Sequence, residues 1–223
     1  MFGLKSVYFY LIACQIVLIK FFKKIYFSSK NYNKSLQSKT PQQVYYNPNS
    51  FLLSIITSYR THSFKVNEID PNIFWLEDEK KDEEQMHSFL WLSLIDRKTD
   101  NTKIKKIIYI WMLKNSKYRK KTWETSILST RIISWILNVD IILSNSTFDF
   151  RRNFLNCIIS QTNHLKKNII FENNLKKKIE ILIAIILTGL VFKEYEENFN
   201  IGIKELDCLL YTSDAADEEA GGG

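Results

Sequence analysis

Glycine is almost missing from this chain. Of 223 residues six are glycine, and three of those are the terminal Gly221, Gly222 and Gly223; upstream only Gly3, Gly189 and Gly202 remain. No Gly-rich phosphate loop, Ser nucleophile elbow or HExxH motif is present, so the usual local signatures of nucleotide, serine-hydrolase and zinc-protease chemistry are excluded. The three cysteines, Cys14, Cys157 and Cys208, form no CxxC or Cys/His spacing that would hold zinc. Their odd number argues against a disulfide framework, and they read as isolated thiols. No metal site and no cofactor is expected. Proline is as scarce, and Pro41 and Pro48 both fall in the polar stretch "SSKNYNKSLQSKTPQQVYYNPNS" at 28–50, which reads as a linker or extended surface segment.

What the chain does have is apolar and basic. A hydrophobic fraction of 45% and an aromatic fraction of 14% are ample for a packed core and lack the signature of disorder. The net charge of +7 rests mostly on lysine. Lys, Ile and Asn share AT-rich codons, so charge alone is weak support for a nucleic-acid partner, and none is expected. An apolar run, "SVYFYLIACQIVLI" at 6–19, is shorter than the roughly 20 residues of a membrane helix. A signal-peptide core is one reading of it. The chain stays apolar after Cys14 and continues into "FFKKIYF", which favours an amphipathic or buried helix, with membrane contact through residues 6–27 as the competing reading.

Four segments follow: an N-terminal apolar helix over 1–27, an extended and irregular stretch over 28–84, a helical domain over 85–207, and a tail over 208–223. Within the second, "IDPN" at 69–72 is a turn, and "LEDEKKDEEQ" at 76–85 is a solvated charge run. The third is periodic throughout. Met86, Phe89, Leu90, Leu94 and Ile95 follow helical spacing, as do Ile104, Ile107, Ile108 and Trp111 after a cap at Asp100 or Thr102. Leu128, Ile132, Trp135, Ile136 and Val139 predict a helix capped at Thr125 or Ser126. Phe154, Ile158 and Leu165 predict the next, and Leu175, Ile179, Leu182, Ile183, Ile186 and Leu190 one begun at Asn173 or Asn174. A last helix is expected from about Ile203. Trp123, Ile132, Trp135 and Ile136 are expected in one buried layer. The fold class is mostly α, an antiparallel array of helices.

Six pieces in order carry a family likeness: "HSFLWLSLI" (87–95), "IIYIWMLKN" (107–115), "WETSILSTRIISWI" (123–136), "FLNCIISQTNHL" (154–165), "ILIAIILTGLVF" (181–192) and "GIKEL" (202–206). Together they resemble the helical N-terminal region of the bacterial heparinase II/III-like polysaccharide lyases. "YLIACQIVLIKFFKKI" resembles the family's leading segment. The resemblance implies a partial α/α toroid without the family's C-terminal β-sandwich, and a parent that cleaves acidic, uronate-containing polysaccharide by β-elimination in the periplasm or cell envelope. The partner it implies is an acidic polysaccharide or oligosaccharide. The rival readings are a non-catalytic helical carbohydrate-binding or scaffold protein and a membrane-anchored helical protein.

The tail, "CLLYTSDAADEEAGGG", departs from the composition upstream. Back-translated in one frame, Cys208 through Glu218 resembles a transposon-based sequencing adaptor, so residues 208–223 are expected to be non-native.

β-Elimination needs a group that neutralises the C6 carboxylate, a base for the C5 proton and an acid for the leaving oxygen. The family's toroid contributes an Asn-His pair, and the only such dipeptide here is Asn163-His164. It lies more than twenty residues before "TGL", farther than the family's pair; Asn173-Asn174 sits closer but has no histidine. Asn163 and His164 are therefore candidate catalytic residues or ordinary polar positions on a helix. Arg131, flanked by Trp123 and Trp135, suits a sugar acid by stacking on the ring and forking on the carboxylate. Arg131 and Trp135 are candidate substrate-binding residues; packing of a structural arginine on indole is the alternative.

Overall fold

A computed structural model gives the fold and describes residues 4–45, 83–95 and 101–221. Among these the chain forms helices and no strand. In chain order they are α1 (Leu4–Ser28), α2 (Lys30–Ser35), α3 (Glu83–His87), α4 (Asn101–Asn115), α5 (Thr125–Leu137), α6 (Val139–Leu143), α7 (Phe148–Asn168), α8 (Leu175–Val191) and α9 (Glu196–Gly221). Short 3-10 turns span Leu90–Leu94, Ile169–Phe171 and Lys193–Tyr195. The turn expected at 69–72 and the cap expected at Asp100 lie outside the described residues.

Local chemistry sets several helix ends. Asn174 caps α8 as expected, its Oδ1 accepting from the N–H of Lys177 at 3.1 Å. Helix α5 is capped one residue earlier than expected: Glu124 Oε2 accepts from the N–H groups of Ser126 (2.9 Å) and Ile127 (3.2 Å). A carboxylate at this position also complements the partial positive charge of the helix start. The helix expected around Met86–Ile95 is interrupted. Phe89 adopts a left-handed conformation, φ 57°, which ends α3 and reorients the chain into the 3-10 turn. The ring of Phe89 is fully buried against Trp111 and Trp135, at 5.5 and 5.1 Å between ring centroids. That packing offsets the cost of the uncommon backbone. Val139 does not extend α5, because the chain breaks at Asn138 and restarts as α6. The last helix begins at Glu196, seven residues before the expected start, and runs through the tail to Gly221.

The core is built on α5, which packs against α7 and α8, while α8 packs on α9. Trp123, Ile132, Trp135 and Ile136 are all buried, as expected. They do not form one layer, however. Trp135 lies with Phe89, Trp111 and Phe154, whereas Trp123 lies with Tyr118 and His164.

Helix α8 turns a different face inward from the one its spacing suggested. Ile181, Leu182, Ala184, Ile185 and Thr188 are buried, while Leu175, Ile183 and Leu190 are exposed. A helix apolar nearly all round gives periodicity no face to choose. The choice is made by the two internal glycines. A Cβ on Gly189 would stand 2.2 Å from the backbone nitrogen of Phe199, and one on Gly202 would stand 2.4 Å from Cγ1 of Ile186. Gly189 therefore lets the α9 backbone touch α8, and Gly202 makes room for the Ile186 side chain.

Residues 29–45, expected as part of an extended linker, instead form α2 and then a strap across the body. Tyr32 and Leu36 are buried to 1% exposure. Side chains of α7 hold the strap: Asn163 Nδ2 donates to Leu36 O and Ser38 Oγ, both at 2.9 Å, and Thr40 Oγ1 donates to Asn156 Oδ1 at 2.6 Å. Farther on, Tyr195 donates to Lys39 O, Gln42 N to Glu194 Oε1 at 2.9 Å, and Tyr45 N to Val191 O at 2.9 Å. The strap's polarity serves these bonds as well as solvent.

Candidate functional site

The four expected site residues fall in three places. Arg131 is fully buried at the junction of α3, α4, α5 and α7. Its Nε donates to Gln161 Oε1 at 2.9 Å, Nη1 to His87 O at 2.8 Å and Nη2 to Thr122 O at 2.8 Å. The guanidinium lies over the Trp111 ring at 4.4 Å and the Trp135 ring at 5.9 Å. These three acceptors are neutral, and burial pulls its pKa down to about 9. Gln161 passes the contact on, its Nε2 donating to Cys157 Sγ at 3.0 Å. Burial pushes that thiol up to about 11, against the pull of Arg131. Arg131 and Trp135 thus meet, as their spacing suggested, but inside the core: both are 0% exposed and present no surface to a ligand. Among the described residues, Trp135 Nε1 is buried without a hydrogen-bond acceptor.

Asn163 and His164 point apart. Asn163 is half-buried and clamps the strap, as above. His164 is buried to 2% exposure in an aromatic box of Phe27, Tyr32, Tyr118 and Trp123, with centroids 5.3–5.9 Å away. Its Nδ1 shares a 2.7 Å hydrogen bond with the Tyr32 hydroxyl, and Asn168 Nδ2 donates to the same oxygen at 3.3 Å. Burial, with Lys23, Arg131 and Lys167 adding repulsion, lowers His164 to about 4. Burial raises Tyr32 to about 12. At neutral pH both groups are therefore uncharged and enclosed.

The open chemistry lies elsewhere, in a cleft of about 540 Å³ between α4, α7 and the strap. Gln37, Ser38, Tyr109, Asn153, Asn156 and Ser160 give it amides, hydroxyls and one aromatic ring. Among the described residues, the side chains of Gln37, Asn153 and Ser160 form no hydrogen bond, so their donors and acceptors are open to a ligand or to water. A second cleft, of about 440 Å³, shares Tyr109 and Asn153 and carries the trough on past Lys105, Lys106 and Phe150. Lys117 stands at the other end, in the α4–α5 loop, where Lys117, Arg119, Lys120 and Lys121 are exposed, as is Lys114 in the last turn of α4. The sequence carried a signal for this site in the basic run "KNSKYRKK" at 114–121. The polar residues of α7 gave none, because one exposed Asn or Ser on a helix is unremarkable until a second element faces it.

Comparison of the chain with protein-family models, with curated proteins and with solved structures finds no match.

Proposed function

We propose that the cleft between α4 and α7 holds an acidic polysaccharide, and that the chain is the helical, substrate-holding region of a heparinase II/III-like protein. In this reading the helices from α4 to α9 are the opening turns of the α/α toroid that the resemblance implies. The observation that supports it best is the cleft's composition. Uncommitted amide and hydroxyl groups beside an aromatic ring suit sugar hydroxyls and the apolar face of a pyranose. Exposed basic side chains, Lys117 at one end and Lys106, near Asp149, at the other, suit repeated carboxylates or sulfates.

The chain itself is expected to bind without cleaving. Neutraliser, base and acid must be held around one ring, and the lining of the larger cleft contains neither histidine nor carboxylate. His164 is the nearest family-like candidate and is sealed in its aromatic box.

The test is titration of the purified chain with heparan sulfate, alginate and polygalacturonate, and with a neutral glucan as control. Acidic polymers should bind, and Lys117→Glu should weaken them by roughly tenfold, equivalent to about 1.4 kcal/mol. Affinity should fall with salt, since exposed charges are screened beyond about 10 Å at 0.1 M. Equal binding of the neutral glucan, or stronger binding of single-stranded nucleic acid, would reject the reading. Steady release of unsaturated product, abolished by His164→Ala, would restore His164 as a catalytic residue.

A further inference from the structure

Helix α1 leaves a broad apolar face uncovered. Nine large apolar or aromatic side chains between Tyr10 and Tyr26 are each more than half exposed, among them Val17, Leu18, Phe21, Phe22 and Ile25. At about 100° per residue they occupy an arc of about 200°. The remaining arc contains Phe27, which joins α1 to the body through Tyr32, Tyr118 and His164. Lys23 and Lys24 fall on either side of Phe27 in the helical register. Lys23 lies 4.1 Å over the Phe171 ring, and Lys24 is exposed. Apart from Tyr26 at its edge, whose ring lies 4.9 Å from that of Tyr32, the apolar arc faces away from the body, and it is bordered by cations.

We infer that α1 docks the protein on an anionic membrane surface, lying in the interface with its apolar arc among the acyl chains and its lysines at the headgroups. Three observations choose this occupant. The first is charge: residues 1–67 contain nine basic residues and no acidic one, the first carboxylate being Glu68. A basic stretch of sequence that contains an exposed apolar helix matches an anionic lipid leaflet. The second is width. An arc of about 200° is far broader than the narrow seam a helix presents to one partner helix, and it suits a continuous apolar medium. The third is length. No helix of the described residues is long and apolar enough to cross a membrane, so the apolar surface is met by lying in the interface rather than spanning it. This inference does not depend on what the cleft binds.

The test is cosedimentation of the full chain with vesicles of phosphatidylcholine alone and of phosphatidylcholine with phosphatidylglycerol. Binding should favour the anionic vesicles by at least about tenfold and weaken with salt. The double substitution Leu18→Glu and Phe22→Glu should lower it by at least about tenfold, with helix content by circular dichroism unchanged because both side chains are exposed. Lys24→Glu, which leaves the apolar arc intact, should reduce the preference for anionic over neutral vesicles. Absence of vesicle binding, or binding that neither variant changes, would overturn the proposal. So would a dimer in lipid-free solution that the double substitution dissolves, which would assign the face to a second copy. Resistance to alkaline carbonate extraction would overturn it in favour of an inserted helix.

Discussion

The Tyr32 hydroxyl and His164 Nδ1 lie 2.7 Å apart and are separated by 132 residues of chain. This bond pins α2, just before the strap, to the C-terminal part of α7 and closes the aromatic box around the imidazole. The hydroxyl and the ring nitrogen are both buried, so the bond between them, with Asn168 Nδ2 also donating to the hydroxyl oxygen, avoids the cost of unmet buried polar groups.

The pH dependence of stability should carry the mark of this pair. His164 is held near 4 in the fold against an ordinary 6.5. The unfolded chain takes up the proton first as the solution is acidified. Stability is complete above about pH 6.5 and is lost as pH falls towards 4, by on the order of 3 kcal/mol. Urea denaturation at pH 7.5, 6 and 4.5 measures the slope, which should be shallower in His164→Gln. An identical slope in that variant would place the titration elsewhere.

Arg131 should be intolerant of conservative change. Its planar fork reaches Gln161, His87 O and Thr122 O at once, and an ammonium on a flexible stem does not reproduce that geometry. Arg131→Lys should cost at least about 2 kcal/mol in urea denaturation, because buried acceptors lose their donor. A loss below about 0.5 kcal/mol would show that water replaces the guanidinium, and the site would then be open after all.

The contact between α8 and α9 should fail on the smallest possible insertion. Gly189→Ala places a methyl group 2.2 Å from the Phe199 backbone nitrogen. Neither backbone can yield without moving a helix, so a loss of about 1–3 kcal/mol or more is expected, read as a lower melting temperature. A wild-type melting temperature in this variant would mean that α9 packs elsewhere.

Removing residues 208–223 should leave thermal unfolding of the remainder unchanged within error. After Gly202 no side chain described on α9 is buried, and Tyr211 is 79% exposed. A cooperative loss of structure on truncation would show that the tail belongs to the fold.

Much of this fold is legible from residue spacing alone. The runs Ile104–Trp111 and Leu128–Ile136 have one apolar side each, so a 3.6-residue period identifies both the helix and its buried face. Asn174 is readable as a cap because its bond to Lys177 is local. Spacing did not show which face of α8 turns inward, since Ile and Leu surround that helix. Nor did it show that the polar stretch after Ser28 is a strap, since its bonds to Asn156, Asn163 and Tyr195 run to residues more than 100 positions away.

The candidate site divides in the same way. The sequence by itself determined that Arg131 has Trp135 for a neighbour; that Trp111 is the other stacking ring came only from the fold. Only the tertiary structure decided that Arg131 faces the core, where Gln161, His87 and Thr122 converge on it, and that Lys117 borders an open cleft. The physical reason is that residue type and helical period constrain each element alone. Exposure depends on which element is packed against it, and for Arg131 and His164 those partners, Gln161, His87 and Tyr32, lie 30 to 132 positions away in the chain.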